Sequence, residues 1–494
     1  MMRAWVWACL MLCLCAPSRA ADLKELQARL RDKEDRVRAQ AVEELGSEGS
    51  NEAFELVLEC FKDPSSRVQD AAEAALALAR SPSTVDLLVG KRGLGDSDSW
   101  TVRHALGAVA RLAIPIEAEA FSAAMAHKDA AARFAACHAI EQVALRKGFG
   151  GKHDKLAKSL ERLVAKDPDL EVRAAALVAH ARLVERSPAD AARLVAEAPA
   201  PVACAALWLQ AEDLRAGALP LLRAGLARKE RSVRAACIDH LAALGTREAA
   251  LALVDALAAE SNSAELWRAA DALEALSGIA FGDKLDLWKQ WAANLPVDWK
   301  PGRKEPRKQE RAGVGTAVIA GLPILSTRVA VLVDLSGSVW KERPDGTTPK
   351  QDLELELGRM LDGFLPTTRF QIVPFTEDPL ALSKGLVEAT PQAVARAKAD
   401  FAALKTSGKG DYWDAIERAL ADPEVDTLIV YGDGAPSGGR RWDVARMEHD
   451  YLARDRFRRV RLSAVLVGAG KALTERWTSW CEATGGQVQA VARR

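Results

Sequence analysis

The first half of the chain repeats one pattern, in which a polar turn is followed by an apolar, alanine-rich helix. Three copies read "KEDRVRAQAVEEL" from Lys33, "DPSSRVQDAAEAAL" from Asp63 and "DPDLEVRAAALVAH" from Asp167. Aligned on the second residue of the Val-Arg pair, the copies fall at Arg38, Gln69, Arg103, Arg133, Arg173, Ala203, Arg234 and Arg268. Most gaps are roughly 30 to 34 residues, which is the period of stacked helix pairs. The pattern predicts an α-solenoid over residues 21–294.

The chemistry of each copy fits this prediction. Asp or Ser before the helix can cap exposed amides, and alanine lets neighbouring helices approach closely. The pattern resembles the short bacterial variety of the HEAT repeat over about residues 22–294, and the resemblance implies an extended surface for binding other proteins. We interpret the recurring arginines as a solvated or intra-repeat ion-pairing row rather than a ligand-binding ladder. Trp288 and Trp291, three residues apart, are expected to pack against the last repeat.

From Thr316 the rhythm changes to short apolar strands that alternate with helices. The strands are "RVAVLVDLS", "RFQIVPF", "DTLIVYGDG" and "RLSAVLVG". Between them, one helical segment places its apolar residues on a single face: Leu353, Leu357, Met360, Leu361 and Phe364. Nearly continuous apolar strands joined by helices predict a doubly wound, mostly parallel sheet of Rossmann-like type. The fold class is therefore α plus α/β in separate domains, with the α/β domain at residues 316–494.

A connector at residues 295–315 separates the two patterns. It contains "WKPGRKEPRKQERAG" from Trp299, which has Pro, Gly and alternating charges but no apolar period. We favour a solvated linker over the alternative, a basic segment that touches an acidic surface.

The N-terminal residues 1–20 are predicted to be a signal peptide. Arg3 precedes an apolar run too short to span a bilayer, and "SRA" before Ala21 fits the small-x-small rule for cleavage. Acylation of Cys13 or Cys15 is a weaker alternative, because neither follows small residues. No later run is long and apolar enough for a membrane helix. We therefore expect an exported, soluble protein, periplasmic or extracellular.

The amino-acid composition limits the classes of binding partner. The chain has 494 residues, with 68 basic and 68 acidic side chains, so nothing favours nucleic acid as the main partner. Five cysteines follow the leader, at positions 60, 137, 204, 237 and 481, and their odd number and irregular spacing favour small core residues. A bridge between Cys204 and Cys237 is the alternative. The histidines of the first half show no shared metal spacing and are expected at surface or capping positions.

Oxygen-bearing side chains follow two of the predicted strands. Asp334, Ser336 and Ser338 form the pattern D-x-S-x-S after "VLV", and Asp433 follows "LIVYG". Because carboxyl ends of parallel strands share one edge of a sheet, these groups can converge there. Carboxylates and hydroxyls suit magnesium, calcium or manganese.

This combination resembles the von Willebrand factor A (VWA) domain with its metal-ion-dependent adhesion site (MIDAS). The resemblance implies that Asp334, Ser336, Ser338 and Asp433 hold a divalent cation, with Mg²⁺ as first choice and Ca²⁺ or Mn²⁺ as alternatives, and that a protein partner completes the shell. It also implies a threonine from a middle loop, where this chain reads "SGKGDYWDAI". Asp411 is the fifth ligand that this loop offers. An acid there would favour the metal but weaken attraction for an acidic partner.

Two other functions remain as alternatives. "VLVDLSGSV" and "GDGAPS" also look like motifs of haloacid dehalogenase-like phosphatases, in which Asp334 would be the nucleophile. That chemistry needs a second acid two residues later, where this chain has Ser336. A metal-free structural scaffold is the third reading. We expect a binding protein rather than an enzyme.

Overall fold

The computed structural model describes residues 23–302 and 317–492, and for residues 211–216 only the backbone. The predicted leader and most of the predicted connector, residues 303–315, lie outside this part. Among the described helices, none has both the length and the hydropathy needed to cross a membrane. By its internal contacts the chain divides into two units, Met1–Ile116 and Glu117–Arg494.

In the described part of the first unit, residues 23–116, six α-helices follow the predicted repeat pattern. They are α1 (Leu23–Arg29), α2 (Asp35–Glu48), α3 (Asn51–Glu59), α4 (Ser66–Leu76), α5 (Pro82–Val89) and α6 (Ser99–Val109). Polar turn residues cap them as expected, since Ser50 accepts from the amide of Ala53 and Asp98 from that of Thr101. Alanine, valine and leucine side chains of these helices form the core.

The second unit begins with further helices of the same pattern. They are α7 (Ser122–Met125), α8 (Ala130–Leu145), α9 (Asp154–Lys166), α10 (Leu170–Leu183), α11 (Ala191–Glu197), α12 (Ala200–Leu214), α13 (Leu219–Leu226), α14 (Arg231–Leu244), α15 (Arg247–Ala259), α16 (Ser263–Ser277) and α17 (Leu285–Ala293). Two-residue strands lie at β1 (Ile116–Glu117) and β2 (Phe149–Gly150). Trp288 is fully buried in α17 and packs edge-on against Trp291. The helical nature of the N-terminal half is thus confirmed.

The arginines of the repeat link one repeat to the next. Arg38 pairs with Asp63 at 2.7 Å, and Arg133 pairs with Asp167 at 2.7 Å. Both acids belong to the turn that opens the following copy of the pattern. The expectation of a solvated or intra-repeat row is therefore corrected: at these positions the guanidinium joins neighbouring repeats. Each pair is nearly buried, which satisfies the turn carboxylate and fixes the spacing of the helices.

The five cysteines of the described chain are all buried and free. Their interpretation as small core residues is confirmed, and the alternative of a bridge between Cys204 and Cys237 is wrong for this structure. Burial raises the pKa of the Cys204 thiol to about 11, so this group stays protonated and unreactive near neutral pH.

The C-terminal domain is a mixed sheet with helices. Its strands are β3 (Val318–Ile319), β4 (Leu322–Pro323), β5 (Arg328–Asp334), β6 (Arg369–Phe375), β7 (Val387–Glu388), β8 (Thr427–Gly432), β9 (Arg461–Val467) and β10 (Val488–Val491). Its helices are α18 (Pro349–Asp362), α19 (Pro391–Ala403), α20 (Tyr412–Ala419), α21 (Val444–Arg458) and α22 (Lys471–Ala483). All four predicted strands are present. The short edge strands β7 and β10 were not predicted.

The order of the six-stranded sheet is β10-β9-β8-β5-β6-β7. All neighbours are parallel except β7, which is antiparallel to β6. After β5 the chain continues to one side of the sheet, and after β8 it continues to the other. The order therefore reverses between β5 and β8, which is where open sheets of this kind bind ligands. Four of the five apolar residues predicted on one face of α18 are buried, and Phe364 packs beside them.

Within the second unit, the C-terminal domain packs on the repeats through what we call the arginine segment, residues 454–461. Arg456 makes two hydrogen bonds to Glu141 of α8, at 2.8 and 2.6 Å. In the opposite direction, Arg231 of α14 donates to the carbonyl oxygens of Arg458 and Arg459. Further pairs join Arg454 to Glu171, Arg459 to Asp239 and Arg461 to Asp271. Acids on this face of the repeats therefore bind the chain's own arginines.

Two histidines meet at the same interface. The rings of His138 (α8) and His449 (α21) lie 5.1 Å apart, and His138 Nδ1 lies 3.2 Å from Glu141 Oε2. Burial lowers the pKa of His138, and the charges of Arg456 and His449 lower it further, while Glu141 opposes them. His449 also faces Asp450 and Arg446 of its own helix. The packed state therefore favours a neutral His138.

We expect the packed unit to lose stability at this contact as pH falls below about 6.5, the ordinary pKa of histidine. Because the folded pKa of His138 lies below its free value of about 6.5, its neutral form stabilises the fold above that pH, and protonation removes this contribution. Burial alone would raise the pKa of Glu141. The charge of Arg456 and hydrogen bonds with His138 and Arg456 lower it to about 2, so Glu141 stays ionised where His138 titrates. The measurement is the melting temperature of wild type and His138→Gln against pH.

The difference between the two proteins isolates this contact, because Asp334, whose pKa is raised to about 6 by burial, contributes a slope of opposite sign to both. His138→Gln should show a smaller loss of stability at acidic pH than wild type. Parallel pH curves for the two proteins would contradict the prediction.

Candidate metal centre

Asp334 ends the central strand β5 and is 2% exposed. Its Oδ1 accepts the amide of Ser336 at 2.7 Å, which turns the chain sharply and buries Ser336 beside it. Ser338 follows in a short helical turn and lines a cavity of about 430 Å³ together with Asp334. The D-x-S-x-S pattern therefore places one carboxylate and two hydroxyl-bearing residues at the carboxyl end of β5.

Asp433 follows β8, the neighbour of β5, and lines the same cavity. Its Oδ1 accepts the amide of Ala435 at 2.9 Å, which orients the carboxylate at the end of β8. Two arginines stand at the rim, but each is paired: Arg343 with Asp352 at 2.7 Å and Arg359 with Glu356 at 2.8 Å. The predicted convergence of Asp334 and Asp433 is thus seen in the structure.

Tyr412, which sequence reasoning missed, brings a third oxygen to these two carboxylates. Its hydroxyl donates to Asp334 Oδ2 at 2.9 Å, accepts the amide of Gly434 at 2.9 Å and lies 3.4 Å from Asp433 Oδ1. The side chain is fully buried between the rings of Phe375 and Trp477. In the sequence, "DYWDAI" resembles the start of a helix whose aromatic residues pack in the core. Only the hydroxyl group of Tyr412 could have indicated a role in the polar site.

Asp411 takes a different place. It is the N-cap of α20, where Oδ1 accepts the amide of Asp414 at 3.0 Å. The carboxylates of Asp334, Asp411 and Asp433 do not offer one oxygen each within 4.8 Å of one another. Burial, with a contribution from Asp414, raises the pKa of Asp411 to about 8. The structure therefore places Asp334, Ser336, Ser338 and Asp433 at the carboxyl ends of the adjacent strands β5 and β8. Asp411 instead caps helix α20.

The middle loop faces Asp334 through a residue that has no side chain. A Cβ at Gly410 would lie 3.3 Å from Asp334 Oδ1, and the Gly410 amide instead donates to Ser437 Oγ at 2.7 Å. This is the loop from which the resemblance implies a threonine. Gly410 itself offers no side-chain hydroxyl, and the hydroxyl of Tyr412 lies 2.9 Å from Asp334 Oδ2.

The electrostatics of the site suit a cation. Burial raises the pKa of Asp334 to about 6, and the nearby charge of Asp433 contributes, against hydrogen bonds from Ser336 and Tyr412. Two converging carboxylates in a buried setting repel each other, and a divalent cation removes that repulsion. Carboxylate and hydroxyl oxygens are the donors that Mg²⁺, Ca²⁺ and Mn²⁺ prefer, so the residues fit such an ion.

Another polar cluster lies in the first unit. Asp70, Glu73 and His104 offer ligand atoms within 4.8 Å of one another. His104, expected at a surface or capping position, is fully buried and lies 2.9 Å from Glu73, which also pairs with Arg111 at 3.0 Å. The cluster is part of a buried ion-pair network, in which Arg111 already neutralises one carboxylate.

Comparisons with known proteins agree with the repeat pattern. A family model for HEAT repeats matches residues 6–77 and 23–111, so the N-terminal part of the chain contains HEAT repeats. No curated protein matches the chain.

Two solved structures show a weak likeness. Proximal thread matrix protein 1 from the mussel byssus is 22% identical over 33% of this chain and 40% of its own length, with a TM-score of 0.26. An engineered protein is 19% identical over 51% of this chain and 95% of its own, with a TM-score of 0.16. At these scores neither structure supports a statement about fold or function.

Proposed function

We propose that this chain is an exported protein-binding scaffold whose C-terminal domain, of VWA type, binds a partner through a divalent cation. The HEAT repeats indicate a role in protein interaction. The observation that carries the proposal is the meeting of Asp334 and Asp433 at the ends of adjacent strands, on a cavity that Ser338 also lines. Export rests on the N-terminal leader pattern alone.

In this proposal Asp334, Ser336, Ser338 and Asp433 hold the ion, with Mg²⁺ as first choice. The bound cation would offer open coordination positions to water or to an acidic group of the partner protein. The cavity supports this, because it is open beside the carboxylates and its rim arginines are already paired. The balanced charge of the chain gives no reason to propose nucleic acid as a partner.

Binding rather than catalysis is proposed at this site. A phosphatase of the alternative kind needs an acid two residues after its nucleophile, and Ser336 occupies that position with its amide bonded to Asp334. Serine at that position lacks the carboxyl group that would protonate a leaving group. Turnover of a generic phosphoester by the purified chain would contradict this part of the proposal.

The proposal predicts that Asp334→Ala abolishes cation binding. Outer-shell substitutions at metal sites cost roughly 10–100-fold in affinity, so loss of a direct carboxylate should cost at least about 100-fold. The measurement is isothermal titration of Mg²⁺, Ca²⁺ and Mn²⁺ into residues 21–494. Asp378→Ala, an exposed acid that follows β6, is the matched control and should bind as wild type does. Equal affinities for wild type and Asp334→Ala would overturn the assignment of the site.

A further inference from the structure

We propose that the hydroxyl oxygen of Tyr412 is a direct ligand of the cation, in the role for which the sequence offered Asp411. This inference rests on the proposed function, since it concerns the same site. It assigns a residue that neither the D-x-S-x-S pattern nor the resemblance points to. Its basis is the position of the hydroxyl between the two converging carboxylates.

The oxygen spacings are those of a coordination shell. Ligand oxygens lie about 2.1 Å from Mg²⁺ in an octahedron, so oxygens at adjacent corners are about 3 Å apart. The Tyr412 oxygen lies 2.9 Å from Asp334 Oδ2 and 3.4 Å from Asp433 Oδ1. Both spacings match adjacent corners of such a shell, so the hydroxyl is placed to share a cation with these carboxylates. The carboxylates of Asp334, Asp411 and Asp433, by contrast, do not offer one oxygen each within 4.8 Å of one another.

The hydroxyl also has a lone pair to give. A phenol offers one hydrogen and two lone pairs. The hydrogen is directed to Asp334, and the Gly434 amide uses one lone pair, at 2.9 Å. The second lone pair is available to a cation. Because the hydroxyl keeps its hydrogen in the bond to Asp334, the group would enter the shell as a neutral oxygen donor.

The surroundings are shaped around this hydroxyl. Gly432, the last residue of β8, leaves room for it: a Cβ at this position would lie 2.5 Å from the Tyr412 oxygen. The ring is held edge-on by Phe375 at 4.8 Å, and Trp477 packs on its other side at 5.8 Å while donating to the carbonyl of Gly434. A hydroxyl fixed in this way loses little entropy on binding an ion.

A neutral fifth ligand changes what the site attracts. With Asp411 as ligand, three carboxylates would outweigh a divalent cation and repel an acidic partner. With Tyr412 instead, Asp334 and Asp433 just balance the cation. The charge of the site then no longer opposes the approach of an acidic side chain from a partner protein.

The test compares Tyr412→Phe with Tyr451→Phe by titration of Mn²⁺ into residues 21–494. Tyr451 is also buried, but its hydroxyl donates to the carbonyl oxygen of Val460 at 3.1 Å, which makes it a matched control. Tyr412→Phe keeps the ring and should lower the affinity by at least about tenfold, the lower limit for partners of metal ligands. Tyr451→Phe and Asp411→Asn should bind as wild type does.

A spectroscopic readout separates ligation from a structural role. Binding of Mn²⁺ should produce a near-ultraviolet tyrosine difference band in wild type and in Tyr451→Phe, and the band should be missing in Tyr412→Phe. Adding Gly410→Ser to Tyr412→Phe places a new hydroxyl near Asp334 and should restore part of the affinity.

The outcomes are distinct. If wild type binds Mn²⁺ and Tyr412→Phe binds it equally well, the inference fails and the proposed function stands. If Asp411→Asn loses the affinity instead, Asp411 is the ligand and Tyr412 is not. If wild type binds no divalent cation, the proposed function and this inference fall together.

Discussion

Glu141→Gln is expected to lower the free energy of unfolding by about 3–5 kcal/mol, the range for removing one partner of a buried ion pair. The Glu141 side chain is 1% exposed and accepts hydrogen bonds from both terminal nitrogens of Arg456, at 2.8 and 2.6 Å. An amide keeps the shape but loses the charge and turns an NH₂ group toward the guanidinium. Arg456, 12% exposed, is then left as a buried cation without a counter-charge. Urea unfolding followed by tryptophan fluorescence measures the effect.

Glu161→Gln is the matched control for this prediction. Its carboxylate is 62% exposed and pairs with His180 at 3.3 Å, so the change should stay within about 0.5 kcal/mol. Replacing both Glu141 and Arg456 by leucine removes both charges and should restore most of the lost stability. A Glu141→Gln protein as stable as wild type would mean that the arginine segment does not pack on the repeats in solution.

Gly432→Ala is expected to abolish cation binding and to destabilise the C-terminal domain by about 1–3 kcal/mol, the usual cost of overpacking. The added Cβ would lie 2.5 Å from the Tyr412 oxygen and 2.7 Å from Asp334 Cβ. Neither neighbour can yield easily, because Tyr412 is wedged between aromatic rings and Asp334 ends a central strand. The displacement therefore moves oxygens of the proposed site directly. Cation titration and thermal unfolding of the same sample measure the two effects.

Gly470→Ala provides the control, because nothing lies within 4 Å of a Cβ at that position. Gly470 is the N-cap of α22 and has ordinary negative φ, so alanine, a poorer N-cap than glycine, should cost less than about 1 kcal/mol. Its cation affinity should equal that of wild type. If Gly432→Ala also behaves like wild type, Tyr412 and Asp334 do not crowd this glycine as the structure shows.

The sequence predicts the fold well where hydrophobic periodicity is strong. Strands β5, β6, β8 and β9 are nearly continuous apolar runs, and the structure has each of them. The edge strands β7 and β10 escaped prediction because each has two to four residues and is only partly buried. The placement of Asp334 and Asp433 at the same end of the sheet could be predicted, because the carboxyl ends of parallel strands lie together.

Features that depend on distant contacts could not be predicted. Tyr412 and Gly434 are 22 residues apart, and nothing in "DYWDAI" indicates that a glycine amide will hold the hydroxyl beside two carboxylates. Arg456 and Glu141 are 315 residues apart, so the sequence shows a basic helix end without its acidic partners. The repeat arginines were misjudged for the same reason, because each acid lies one repeat away.

The most direct test of the central claim is a crystal structure of residues 21–494 grown with Mn²⁺, with anomalous scattering to locate the ion. The account predicts one anomalous peak at the carboxyl ends of β5 and β8, with oxygens of Asp334 and Asp433 in its coordination shell and Tyr412 Oη at ligand distance, about 2.2 Å. Well-ordered crystals with no peak at this edge of the sheet, at Mn²⁺ concentrations far above those of free metal in a cell, would contradict it.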